Sequence, residues 1–130
     1  MKIEIRKSDS FYPTLKSWWV EHDFPEIVKE VLPQDVIVVV KEHTAIYAAA
    51  FYHTDSALCW IAFPTSNPFA SKKAKKGGLE ALISAAEEYA KECGYKVIFT
   101  TSGTKAIENV LVDSDFSLGD VKVNQYLKGI

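Results

Sequence analysis

From Lys2 to Arg6 charged and apolar residues alternate as Lys, Ile, Glu, Ile, Arg. This period of two sends every second side chain to the same face of a half-buried strand. Ser8-Asp9-Ser10 follows with helix N-cap chemistry. Between Phe11 and Val31, Leu15, Trp18 and Trp19 and then Ile27, Val28 and Val31 stand at helical spacing, interrupted by Asp23-Phe24-Pro25. The pattern predicts two short helices with a break over 22–25, because a residue before proline is pushed out of helical geometry. Adjacent Trp18 and Trp19 point about 100° apart on a helix. Both cannot face the core squarely, which leaves one free to line a pocket or meet a partner, although packing is the plainer role.

Leu32-Pro33-Gln34-Asp35 reads as a turn, and Val36 to Val40 as a continuous β-branched strand. Thr44–Tyr52 and Ala57–Phe63 are further strands, joined through Glu42-His43 and Thr54-Asp55-Ser56. Connections this short join antiparallel neighbours, so the three strands form a meander. Ala48, Ala49 and Ala50 imply close packing on the middle strand. His43 and His53, each at a strand end, read as turn residues.

From Gly78 onward Leu79, Leu82, Ile83, Ala86, Tyr89 and Ala90 recur at three and four. This is an amphipathic helix of about four turns, ending at Cys93-Gly94. Beyond it the pattern predicts a strand at Lys96–Thr101, a short helix at Lys105–Val112, a turn at Ser117–Asp120 and a last strand at Val121–Lys128.

The chain has 130 residues, 48% hydrophobic and 25% charged, with 6 Gly, 5 Pro and a formal charge of -2. That composition excludes collagenous and disordered classes and predicts one globular domain over 1–130. No apolar run reaches the ~18 residues of a membrane span, and the first residues lack the apolar core of a signal peptide. A cytoplasmic protein is therefore expected, with no membrane partner. Cys59 and Cys93 have no CxxC or histidine spacing around them, so a zinc site is not expected and buried free thiols are. The near-neutral charge does not point to nucleic acid.

One local feature departs from this balance. No acidic residue occurs between Asp55 and Glu80, while Lys72, Lys73, Lys75 and Lys76 crowd in front of Gly77-Gly78 and the long helix. The first-turn N–H groups and the dipole of a helix attract anions, and glycines let a ligand approach the backbone. Phosphate binding is the inference, although lysine runs also occur as plain solvated surface. Neither a dinucleotide-binding GxGxxG nor a P-loop GxxxxGK[ST] is present.

The order of elements, from strand and helices through meander, basic Gly loop and long helix to strand, short helix and strand, resembles the GCN5-related N-acetyltransferase family over nearly the whole chain. The resemblance implies an α+β fold, with helices on both faces of a mixed, mainly antiparallel sheet. It also implies acetyl-CoA as cosubstrate and a small-molecule or protein amine as acceptor; a homodimer is left open. The family's pyrophosphate motif, Arg/Gln-x-x-Gly-x-Gly/Ala, finds its best match at Lys75-Lys76-Gly77-Gly78-Leu79-Glu80. Lys75 stands for Arg or Gln and Glu80 for a small residue, and a shift by one places Gly77 and Leu79 on the two motif glycines. By the same resemblance the fourth strand splays from the fifth, Phe63, Thr65 and Ser66 line the pantetheine arm, and Thr100, Thr101 and Ser102 close the opposite wall.

Two groups common in that family are missing. The fourth strand carries no carboxylate between Ala57 and Ser71, and Leu111 stands where a tyrosine acid is usual, with Thr104 in place of an Asn. The remaining candidates are Tyr47, expected opposite Phe63, as proton donor and His22, in the helix break that flanks the acceptor in this fold, as base. The alternative function is a noncatalytic acyl-CoA-binding or protein-interaction module on the same fold.

Overall fold

The computed structural model describes residues 1–130. Its order is β1 (Lys2–Lys7), α1 (Ser8–His22), a 3₁₀ turn (Lys29–Val31), β2 (Asp35–Lys41), β3 (Thr44–Tyr52), β4 (Leu58–Ser66), α2 (Lys72–Lys75), α3 (Gly78–Glu92), β5 (Val97–Thr100) and α4 (Lys105–Asp113). The five strands form one sheet in sequence order. β1 to β4 are antiparallel and β5 lies parallel to β4, so the α+β architecture expected from the sequence is the one present.

β2 explains the layering. Val36, Val38 and Val40 pack with Phe11, Leu15, Trp18 and Trp19 of α1 on one face, while Ile37 and Val39 pack with Leu82, Ala85, Ala86 and Ala90 of α3 on the other. A strand buried on both faces reads as a continuous apolar run rather than an alternation. Each such side chain contributes roughly 1.5–3 kcal/mol by leaving water. The alanines of β3 sit under these helices, and Ala48 lies in the α1 cluster and Ala49 in the α3 cluster.

Glu42 and His43 turn the β2–β3 hairpin with φ of 51° and 67°, the pair of positive values that a two-residue turn of strand-compatible twist demands. Just beyond, the register steps from Val40↔Ala45 to Val39↔Tyr47. Ile46 is thus an extra residue, and both Ile46 and Tyr47 pack on the α3 side.

Several expectations are corrected. The segment after His22 forms no second helix but a single 3₁₀ turn, because Pro25 and Pro33 leave too few residues between them to nucleate more. α1 begins at Ser8 with no side-chain cap; the Ser8 N–H donates to the Gln34 carbonyl instead, 2.9 Å away. Packing, the plainer role for Trp18 and Trp19, is the one they have: both are buried, each 2% exposed. Trp18 meets Phe11 edge-on, and the Trp19 indole reaches β4, where it donates to Thr65. Residues 72–75 are a helical turn capped by Ser71. The strand expected at Val121–Lys128 is absent: alternation supplies a face, but a strand exists only through its ladder, and no ladder forms there.

Candidate functional site at the open end of β4

β4 and β5 pair only from Leu58↔Val97 to Ile61↔Thr100, yet β4 continues to Ser66. Its last five residues, 62–66, therefore have no strand on the β5 side. The Thr100 hydroxyl closes the pairing by donating to the Ile61 carbonyl at 2.8 Å. On the β3 side, Ala50 faces Ala62 and Ala48 faces Thr65, so Phe63 and Pro64 together stand against Ala49. This is a bulge, with Phe63 in the left-handed region at φ 54°. Pro64 at the bulge contributes no N–H, the one place inside a strand where that omission is tolerated.

Two side chains hold the bulge. The Thr65 hydroxyl donates to the Phe63 carbonyl at 2.9 Å and accepts from Trp19 Nε1–H at 3.2 Å. Thr65 is 3% exposed, so its hydroxyl is committed to α1 and only its backbone is left for a ligand. Asn67 then pins the chain leaving β4: its side chain donates to the Ala45 carbonyl and accepts from the Phe69 N–H, both at 2.8 Å. Sequence reasoning missed Trp19 and Asn67 in these roles, although the Asn67-Pro68 pair is a recognisable turn signal.

The chain then reaches α3. Gly77 has φ +77°, and a Cβ there would meet only the Met1 side chain, at 3.8 Å. This exposed left-handed residue is the one that leaves the backbone open. Gly78 is buried, and a Cβ on it would lie 2.5 Å from Tyr47 Cδ2 and 3.1 Å from Ile46 Cδ1. The two glycines thus have different reasons to be glycine. Lys72, Lys73, Lys75 and Lys76 make no ion pair, so four free ammonium groups belong to the segment that leads directly into a 15-residue helix. Leu79 is half-buried against the core and contributes packing.

The two catalytic candidates lie on opposite faces of the sheet. Tyr47 faces Ser66 in register, not Phe63; the β3–β4 turn already sets Tyr52 against Trp60, and the β4 bulge adds one more residue of shift. Its ring packs under Gly78, and burial, with Glu80 adding, pushes its hydroxyl pKa up. His22 sits on the α1 side, with Nε2 2.8 Å from the Ser66 carbonyl and 3.3 Å from Ser66 Oγ. A carbonyl only accepts, so Nε2 carries the proton and Nδ1 remains as the acceptor of the ring. The imidazole stacks on Phe24 at 4.8 Å. Across the gap, Thr104 caps α4 by accepting from the Ile107 N–H, and Leu111 is buried with Ile83 and Val110.

No protein-family model matches this sequence, and no curated protein matches it significantly. Solved structures do match. An aminoglycoside acetyltransferase from an uncultured soil metagenomic sample, in complex with sisomicin, is 15% identical and aligns over 99% of this chain and 95% of its own, with a TM-score of 0.68. An aminoglycoside N-acetyltransferase in complex with CoA is 14% identical and aligns over 99% and 100%, with a TM-score of 0.62. A probable acetyltransferase from meticillin-resistant Staphylococcus aureus is 10% identical and aligns over 98% and 100%, with a TM-score of 0.67. The chain has the fold of the GCN5-related N-acetyltransferases.

Proposed function

We propose that this protein is an N-acetyltransferase that takes its acetyl group from acetyl-CoA and transfers it to an amine. The observation that carries the reading is the five-residue extension of β4 past its last β5 partner, opening beside a helix N-terminus with a left-handed exposed glycine and unpaired lysines. An extended pantetheine arm adds to such an edge as a strand would. The pyrophosphate suits the α3 N-terminus, with Gly77 and Gly78 giving it backbone and Lys75 and Lys76 giving it charge. Phe63, Thr65 and Ser66 then line the arm, Thr65 through its backbone. Structures sharing the fold are acetyltransferases, one of them holding CoA, which supports the same reading.

When bound, acetyl-CoA supplies a thioester carbonyl carbon to which the amine adds, so that a C–N bond forms as the C–S bond breaks. The residues of this chain orient the groups and handle the proton. His22 Nδ1, the free acceptor of the ring, serves as base, directly or through one water. Its Nε2–H, held by the Ser66 carbonyl, fixes the ring. Tyr47, the other candidate, supports the loop from beneath and reaches the reaction only if its hydroxyl extends past Gly78. With no carboxylate on β4 and with Leu111 buried, positioning supplies most of the rate. The missing acid also favours a second reading, a binder of acyl-CoA without turnover.

Acetyl-CoA is expected to raise the melting temperature, by about 2.7 kcal/mol of added stability at a hundredfold excess over Kd. Lys75→Ala with Lys76→Ala is expected to weaken CoA by at least ~10-fold, about 1.4 kcal/mol, and to leave a phosphate-free pantetheine fragment unaffected. Release of free thiol in the presence of an amine separates the enzyme from the binder. Absence of any thermal shift at millimolar acetyl-CoA overturns both.

A further inference from the structure

The proposed reaction leaves its acceptor unnamed, and the sheet face beside His22 bears on it; the inference below rests on that reading. Three aromatic side chains cross β3, β4 and β5 on the face that carries α1. Tyr52 stacks on Trp60 at 4.9 Å and 25°, Trp60 lies 6.4 Å from Phe99, and Phe63 at the bulge lies 6.4 Å from Tyr52. No helix covers the end of this row, and Phe99 is 50% exposed. The segment from His22 to Val31 stands over its other end, tied there by the Tyr52 hydroxyl donating to the Val31 carbonyl at 2.9 Å. That segment presents Phe24 stacked on His22 and itself 50% exposed.

Charge is distributed unevenly around these rings. Glu21 and Asp23, on either side of His22, make no ion pair, while Lys16 and Lys29 are taken by Glu26 and Asp9. Glu30 belongs to a separate cavity that it lines with Lys7, Asp9 and Lys29. β4 itself supplies no carboxylate from Leu58 to Ser66. The unpaired negative charge of this segment is therefore the pair beside His22, at the rim of a wall that is itself aromatic. An ammonium group is drawn to the rim and to the ring faces, whose quadrupoles attract cations. The rest of the acceptor then meets carbon. A chain or sugar bearing several ammonium groups would need carboxylates spaced along the wall, and desolvating its charges against rings without them is unfavourable.

We propose that the acceptor is a primary amine with one positive charge carried on an aromatic or apolar body, seated between the 22–31 segment and the Tyr52–Trp60–Phe99 row. This differs from the polycationic sisomicin held by one protein of the same fold.

The test compares 2-phenylethylamine, ethylamine and spermidine as acceptors with acetyl-CoA, read by thiol release. The kcat/KM for 2-phenylethylamine is expected to exceed the other two by at least tenfold. Phe99→Ala is expected to raise its KM at least fivefold while leaving ethylamine within twofold, and Phe24→Ser, an exposed position that the core does not need, acts in the same direction. A preference for spermidine, or equal effects of Phe99→Ala on both monoamines, overturns the assignment. If acetyl-CoA neither binds nor turns over, the proposed function fails. The acceptor class is then read by calorimetric binding of the same amines to the free protein: tighter 2-phenylethylamine binding that Phe99→Ala weakens upholds it, and tighter or equal spermidine binding removes it.

Discussion

At the scale of single residues, Gly77 and Gly78 separate two constraints that a Gly-Gly pair conceals. Gly77 needs the left-handed backbone and has room for a Cβ, at van der Waals distance from Met1, whereas Gly78 has an ordinary backbone and no space. Gly78→Ala places a methyl 2.5 Å from the Tyr47 ring, which must shift inside a packed layer. We expect a loss of about 1–3 kcal/mol, the range for overpacking, read as a lower urea midpoint. Replacing Tyr47 with Leu in the same protein is expected to recover part of it. Gly77→Ala leaves Tyr47 alone and costs about 1–2 kcal/mol of left-handed strain, with CoA affinity falling in step. Equal melting temperatures for Gly78→Ala and the unaltered protein would show that Tyr47 is free to move.

Of the three helices longer than two turns, α4 is the least supported. It spans nine residues, and its inner face packs Ile107, Val110 and Leu111 on Leu79 and Ile83 of α3, with Phe116 beside them. A helix this short depends on its cap and on tertiary packing. Thr104 supplies the cap, accepting from the Ile107 N–H at 3.3 Å. Thr104→Ala is expected to cost about 1 kcal/mol. Hydrogen exchange should speed up in the first turn of α4 and remain unchanged in α3. Because α4 borders the gap between β4 and β5, the same substitution should weaken acetyl-CoA more than it weakens the sheet.

For the whole molecule, the end of the sheet opposite the candidate site is fastened through one carboxylate. Asp35 of β2 is 6% exposed. It accepts from Lys7 Nζ of β1 at 3.1 Å, from Nε2 of His53, just past the end of β3, at 2.8 Å and from the Tyr89 hydroxyl of α3 at 2.7 Å. His53 Nδ1 in turn meets the Tyr95 hydroxyl at 2.9 Å. Burial pushes the Asp35 carboxyl up, but the hydrogen bonds from Tyr89, His53 and Lys7 outweigh it and hold the pKa below its ordinary 3.8. Burial and the Asp35 charge push the Tyr89 hydroxyl up. A carboxylate depressed in this way contributes stability that is present above 3.8 and lost as pH falls through the folded value. Asp35→Asn should therefore flatten the acid limb of stability against pH below about pH 4. Asp35→Ala removes the acceptor shared by three donors, of which Lys7 and His53 can turn to water, and should cost about 1–3 kcal/mol near neutrality. An unchanged acid limb in Asp35→Asn would show that other carboxylates govern acid unfolding.

What the sequence determined by itself was the identity of the central elements and the side they bury. The apolar run of β2 and the spacing of α3 each reflect one local choice between water and core, which the chain records residue by residue. The period of β1 marked the strand but not its burial, since Ile3 and Ile5 stay 40% and 39% exposed at the sheet edge. The lysines before Gly77-Gly78 were legible for the same reason, since charge and backbone freedom are local properties, and the order of elements then led to the fold. Relations between elements were decided only in the tertiary structure. The β3–β4 turn and the bulge at Phe63-Pro64 place Tyr47 across from Ser66, and the inserted Ile46 joins Tyr47 on the α3 side under Gly78, because in a sheet one extra residue exchanges the faces on either side of it. The contact of His22 with Ser66, the burial of both Trp18 and Trp19 and the convergence of four elements on Asp35 likewise depend on distances across the fold. The strand expected at Val121–Lys128 failed for the converse reason: its alternation was present in the sequence, but pairing requires a neighbour that no local pattern can supply.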